Sequence, residues 1–524
     1  MKKTDPSVEA RNPLTGLDYP DPDVIRVDDT YYMVSTTMYF MPGCEILRSY
    51  DLANWEHAAY VYDRLDGTPG QTLADGENIY GKGMWAATLR HHGGRFYIVF
   101  VANDTRKTYL YTAERIEGPW KKSEIEGFYH DGSLLFDDDG RIYLAYGNRD
   151  VRLVQLRDDL SGPMPGGLSR VLVSDGDNPI LGYEGTHFYK INGIYYLFFI
   201  HSLRDEWKRV EACFASDSLE GEFRGGDILN DDMGYCNQGV AQGGVVDTPE
   251  GKWYAVLFQD RGAVGRIPVL VPLVWKDGFP VPGTDGRVPE SFPVSSTRPE
   301  HEYEPLVRSD DFRVPELSEL PAEEAARRYG CFGLRSAWQF NHEPEPTLVD
   351  WKKERGELWL QTGQLSGSVV QARNTLTQRM RYPRCAAEVT VDASRLKEGD
   401  CAGLCALQGC YGFVGIRKRR GKMYLVMVSR EPEDGSESAE TEREWAAVPT
   451  EESRVRLRLE ADFTEMKDEA RFFYENAGRW EPIGIPHRLR FRLDHFTGCR
   501  FGLFVYAAEE IGGAAGFLEF RYDF

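Results

Sequence analysis

No stretch of the 524-residue chain approaches the ~20 consecutive apolar residues that a membrane-spanning helix needs. A basic excess is missing too. Sixty-two Lys and Arg face 83 Asp and Glu, a formal net charge of −21. That balance argues against a nucleic-acid or anionic-membrane partner, while a neutral ligand is indifferent to it. Paired cysteines are also lacking. The nine cysteines are odd in number and scattered, and Cys401, Cys405 and Cys410 lack the CxxC spacing of a zinc site. They read as reduced thiols, with no disulfide framework and no metal. The first residues, MKKTDPSVEARNPL, carry two lysines but no apolar run, so no secretory signal is expected. A cytoplasmic protein is the expectation, with the oligomeric state left open.

Aromatics (13%) and 53 glycines are abundant, a composition that favours all-β structure with many turns. The length calls for at least two domains. Five segments share one pattern, a Gly, Asp or Asn turn followed by an aromatic-rich strand: DDTYYMVST, GGRFYIVFV, DGRIYLAYG, NGIYYLFFI and EGKWYAVLF. Their second aromatics are Tyr32, Tyr97, Tyr143, Tyr196 and Tyr254, spaced by 65, 46, 53 and 58 residues. An apolar run precedes each, which makes five hairpins. Units of this length, each a small antiparallel sheet, predict a five-bladed β-propeller over residues 11–285. Three further stretches, 49–56, 112–120 and 215–223, end in a turn and an aromatic and read as outer strands of the blades.

The repeat gives meaning to YPDPD near its start. Asp21 lies between two prolines, and Pro22 is expected to push it into extended geometry. Asp21 precedes Tyr32 by 11 residues; Trp85, Asp131, Glu184 and Gln242 precede their own tyrosines by 12. If the blades are equivalent, these five residues converge on the central axis. Paired carboxyl groups beside an aromatic platform suit glycosidic bond cleavage: one acid donates a proton to the leaving oxygen and another activates water. A third carboxylate raises the pKa of the donor by repulsion. Trp85 and Phe40, in TTMYFMPG, are candidate sugar-stacking walls. The competing use of three acids is a calcium site, which would want more oxygen ligands than these.

The run NPLTGLDYPDPDVIRVDDTYYMVSTTMYFMPGCEILRSYDLANWE resembles the N-terminal signature of glycoside hydrolase family 43. MWAATLRHHGGRFYIVF, HDGSLLFDDDGRIYLAYG, YEGTHFYKINGIYYLFF and QGGVVDTPEGKWYAVLF resemble its later blades in order. The resemblance implies an inverting glycosidase in which Asp21 is the general base, Glu184 the general acid and Asp131 the acid that tunes the donor. It also implies that Arg266, in GRIPVLVPLVW, touches the innermost sugar, and that catalysis needs no cofactor. Two positions depart from the family. Gln242 stands where many members have a His that helps hold an ion at the axis, and Gly132 stands where proline is frequent.

Residues 286–308, within the proline-rich GFPVPGTDGRVPESFPVSSTRPEHEYEP, read as a linker. Beyond it, ELWLQTG, AAEVTVDAS, KMYLVMVS, RVRLRLEAD, ARFFYEN, RFGLFVYAA and FLEFRYDF alternate with period two and predict a β-sandwich over 309–524. Only PELSELPAEEAARRYG (315–330) looks helical. LRSAWQFNHEPEP, QARNTLTQR and EGDCAGLCALQGCYGFVGI resemble the concanavalin-like (jelly-roll) domain behind many family 43 β-xylosidases. The fold class expected is therefore all-β, a five-bladed propeller followed by a sandwich, with a stabilising role for the second domain. The expected substrate is a small oligosaccharide. β-1,4-Xylosides come first, α-L-arabinofuranosides second, and a non-catalytic sugar-binding propeller is the alternative from another class. A structural Ca2+ stays open.

Overall fold

The computed structural model describes residues 6–313, 320–432 and 440–524. Five four-stranded antiparallel sheets follow one another along the first half; the last four are each built from consecutive strands, and the first is interrupted by the short strand Phe40–Met41. Their innermost strands are Asp23–Val27, Met84–His92, Ser133–Phe136, Glu184–Ile191 and Ala241–Asp247. These are the first strands of the five hairpins read from the repeat, so blades 1 to 5 follow chain order. The stretches 49–56, 112–120 and 215–223 are not outer strands. They connect the third to the fourth strand of blades 1, 2 and 4, and the outer strands begin only at Glu56, Lys121 and Arg224. Their Gly, Asp and Asn residues serve the turn, which is why they resemble one another.

Among the described residues no strand is shared between the first and last blades, so closure comes from elsewhere. Ser7–Arg11 pairs antiparallel with Ser291–Ser295, inside the stretch expected to be a linker. The Asn12 side chain then donates to the carbonyl of Leu270 at 2.8 Å and accepts its N–H at 2.8 Å, tying the chain start to blade 5. A polar hub plugs the axis. Arg90 of blade 2 donates to fully buried Asp23 of blade 1 at 2.7 Å, and to the Leu134 carbonyl and Ser133 hydroxyl of blade 3, each at 2.8 Å. Tyr189 of blade 4 donates to Asp23 and accepts the Val245 N–H of blade 5. One buried ion pair and its hydrogen bonds thus touch all five blades.

The second half is a sandwich of two large sheets. The period-two runs are its strands, as in Arg454–Asp462, where buried positions alternate with more exposed ones. The helix is shorter than the sequence suggested, Ala322–Arg328; residues 315–319 of that reading lie outside the described residues. Strands Asp400–Leu407 and Arg500–Ala507 are buried along their whole length. Alternation explains this: Ala402, Leu404 and Ala406 face the sandwich core, while Cys401, Cys405 and Leu407 pack with Tyr39, Phe40, Ile79 and Tyr80 of the propeller. The domains also share a sheet, because Phe40–Met41 pairs with Gln339–Asn341 at its edge. Phe40 is therefore no sugar-stacking wall. It is 1% exposed, and the Arg500 guanidinium lies 3.4 Å from its ring centroid.

Candidate active site

The equivalent register puts Asp21, Asp131, Glu184 and Gln242 at the same end of their innermost strands. Asp21, Asp131, Gly185, His187 and Gln242 line one small space at the axis, of about 10 Å³, roughly room for one water. The backbone there is unusual. Asp21 has φ 53°, Asp131 48° and Gln242 57°, all left-handed, while Gly185 follows Glu184 at 66°. The extended geometry expected at Asp21 from Pro22 is thus overturned. Non-glycine residues reach this region at a cost, and such strain collects at functional sites. Here it turns each side chain off the strand and into the funnel.

Asp21 is held on both oxygens. Arg266 donates to Oδ1 at 2.9 Å and the Thr36 hydroxyl to Oδ2 at 2.7 Å. Arg266 is itself enclosed: its guanidinium lies 4.9 Å from the Phe258 ring and 4.2 Å from the ring of Phe496, a sandwich residue. Asp260 lies 3.5 Å from its Nε and forms a close ion pair with Arg209. Asp131 accepts the Gly185 N–H at 2.9 Å, so the third acid is fixed to the residue following Glu184. Burial raises the pKa of Asp131, the Asp21 charge adds to this, and His130 opposes it. Glu184 sits higher still, pushed up to about 7, first by burial and then by the Asp131 charge. Asn148 donates to its Oε2 at 2.5 Å.

The other two expected residues behave differently. Trp85 forms a wall: Phe496 stacks on it at 5.2 Å and 22°, and His130 lies 5.7 Å away. Gln242 forms floor. It is buried, its N–H is held at 2.7 Å by a carboxylate oxygen of buried Glu211, and its side chain fills the space beside Gly185 that a Cβ there would need. Sequence reasoning missed Phe496, His130, Asn148, Thr36 and Arg209. His130 adjoins Asp131 and could have been noticed; Phe496 carried no signal, because it comes from the other domain.

His130, Asp131 and Glu184 bring three donor atoms within 4.8 Å of one another. One imidazole nitrogen and two carboxylate oxygens fall short of the six to eight oxygens calcium takes, so the donor set does not fit that ion. What the arrangement can do is acid–base chemistry: a carboxyl group that holds its proton near neutrality shares the axis with one that is ion-paired with Arg266.

Comparison with known proteins identifies the family. The family description "Glycosyl hydrolases family 43" matches residues 10–280, and "Beta xylosidase C-terminal Concanavalin A-like domain" matches 333–523. A "Xylosidase/arabinosidase 43B" of Humicola insolens is 27% identical over 98% of this chain and 97% of its own. A "Beta-xylosidase" of Formosa agariphila is 24% identical over 79% of this chain and 76% of its own. Among solved structures, a "Bifunctional GH43-CE" of Bacteroides eggerthii is 42% identical with a TM-score of 0.88; the match covers 98% of this chain, which spans only 63% of that one. The all-β architecture, the axial carboxyl groups and the match over more than half its length place this chain in glycosyl hydrolase family 43.

Proposed function

We propose that the protein is an inverting exo-glycosidase that releases xylose from the ends of β-1,4-xylo-oligosaccharides. The observation that carries this reading is the contrast between two axial carboxyl groups. Glu184 is half-buried beside another acid and keeps its proton to about pH 7, as a general acid must. Asp21 is ion-paired with Arg266 and offers only lone pairs, as a general base must. Asp21 takes a proton from the attacking water, Glu184 gives one to the leaving oxygen, and Asp131 keeps Glu184 protonated until then. Phe496 of the sandwich stacks on Trp85 beside these groups, and a wall of that kind favours a chain end over the middle of a polymer. The sugar preference draws support from relatives named β-xylosidase.

An α-L-arabinofuranosidase is the second reading, supported by the full-length relative named xylosidase/arabinosidase. Hydrolysis of nitrophenyl β-D-xylopyranoside and α-L-arabinofuranoside separates the two, and Glu184→Ala on xylobiose, whose leaving oxygen needs a proton, tests the general acid. Proton NMR of the first product tests the mechanism. The α-anomer of xylose, appearing before mutarotation, supports inversion, and the β-anomer would sink it.

A further inference from the structure

Resting on the xylosidase reading, we infer that Trp207 is the aromatic platform for the leaving sugar, the residue that makes this site prefer an oligosaccharide over a simple glycoside. The general acid must touch the leaving oxygen, so the leaving sugar lies over the blade that carries Glu184. In that blade Ile200 is the cross-strand partner of both Glu184 and Glu211, and Ser202 is the partner of Arg209. The connection 203–208 therefore leaves the sheet two residues beyond the level of Glu184, about 7 Å nearer the rim. It rises at the same end of the axis as the three acids.

Trp207 sits in that connection and is 46% exposed, although most large aromatics of this chain are buried. Half of its environment is built. The Arg209 guanidinium lies 5.2 Å from the ring centroid, and Arg209 is 8% exposed and ion-paired with Asp260. Asp260 in turn lies beside Arg266, which holds Asp21. The connection is pinned by a Leu203 to Lys208 backbone hydrogen bond at 3.0 Å, and on its outer side Asn237 donates to Glu206 at 3.0 Å. A fixed cation beneath the indole orders it by cation–π attraction and leaves its remaining surface to solvent. A half-exposed aromatic ring held against a buried cation, on a connection that leaves the sheet about 7 Å beyond the level of Glu184, offers a stacking surface for a pyranose face.

The test compares kcat/KM on xylobiose with that on β-D-xylopyranosyl fluoride, whose leaving group has no ring to stack. We expect Trp207→Ala to lower the ratio of xylobiose to fluoride about tenfold, the order expected for loss of one stacked ring, and Trp207→Phe to restore most of it. An unchanged ratio overturns the inference, whether both rates fall together, as a merely structural role predicts, or neither falls. Should the wild-type enzyme hydrolyse only arabinofuranosides, the xylo-oligosaccharide occupant is refuted while the acid–base reading survives. Should it hydrolyse neither class, the glycosidase reading falls and the platform falls with it.

Discussion

Replacing Asp131 by Asn tests the electrostatics of the site with little change of shape. The amide keeps a carbonyl that can accept the Gly185 N–H, now taken by Asp131 Oδ2 at 2.9 Å. What it removes is a negative charge near Glu184. At a separation of 4.8 Å, the outer limit for the donor atoms of this cluster, and an effective dielectric constant of about 20, two unit charges repel by about 3.5 kcal/mol, about two and a half pKa units. Arg209 and Arg266 offset part of the repulsion, and burial, the largest cause of the elevation, stays. The Glu184 carboxyl should therefore fall from about 7 by roughly one to two units. The sign follows: the acid must be protonated to act, so the basic limb of the kcat/KM profile moves to lower pH. At pH 7 the competent fraction drops from about half to about a tenth or less. Xylobiose is the substrate to use, because nitrophenol leaves without acid assistance and would hide the limb. A basic limb that stays near 7, or moves up, in an Asp131→Asn variant that still binds xylobiose would refute the assignment of Asp131 as the charge that raises Glu184.

Arg90→Met strands buried Asp23 without its cation at the axial hub; we expect a loss of about 3–5 kcal/mol in urea unfolding, with all five blades loosened together. Burial would raise Glu45, but the Arg379 guanidinium and the hydrogen bond with His57 outweigh it and hold the carboxyl down to about 2. A carboxyl depressed in the folded state contributes stability in full above its ordinary value of 4.5 and loses it as pH falls towards 2. Glu45→Gln should thus lower the urea midpoint at pH 6 and flatten its further fall between pH 4.5 and 3. Phe496→Ala uncovers Trp85 and Arg266 from the sandwich side. Its expected mark is a loss of about tenfold in kcat/KM with thermal unfolding near that of the wild type, which separates a pocket wall from a packing residue.

The propeller and three of its acids were legible because a repeat carries its own register. Tyr32 and its four counterparts fix where each innermost strand runs, and counting back eleven or twelve residues lands on the axis in every blade. That arithmetic depends only on the two-residue period of a strand and on the equivalence of blades. It could not tell wall from floor. Trp85 and Gln242 share one register, yet Trp85 meets Phe496 while Gln242 is tied down by Glu211. Phe40 was misread for a related reason. An aromatic near a site motif looks like a sugar platform until its strand is seen to pair with Gln339–Asn341 of another domain. The linker reading missed Ser291–Ser295, because Pro293 hides the strand pattern while still fitting a two-stranded edge.

The sandwich domain does more than stabilise. Asp18, buried, accepts the Arg266 N–H on one oxygen at 2.7 Å and the Gly498 N–H on the other at 2.8 Å. One side chain thus fixes both the strand start that carries the Asp21 partner and the segment that carries Phe496. Its backbone carbonyl accepts from Arg379 at 2.8 Å, and Arg379 is ion-paired with Glu45 of blade 1 at 2.7 Å. Arg379 lies on a sandwich strand that packs directly on the propeller. A buried charge network of this kind does little for net stability compared with apolar packing, but it tolerates only one docking geometry, since any slip leaves a charge unpaired in a dry interface. Asp21, Asp131 and Glu184 belong to the propeller, whereas Phe496 beside Trp85 and the registration of Arg266 depend on the second domain. Cutting the chain at the linker should therefore leave Asp21, Asp131 and Glu184 in place and still cost the enzyme its pocket.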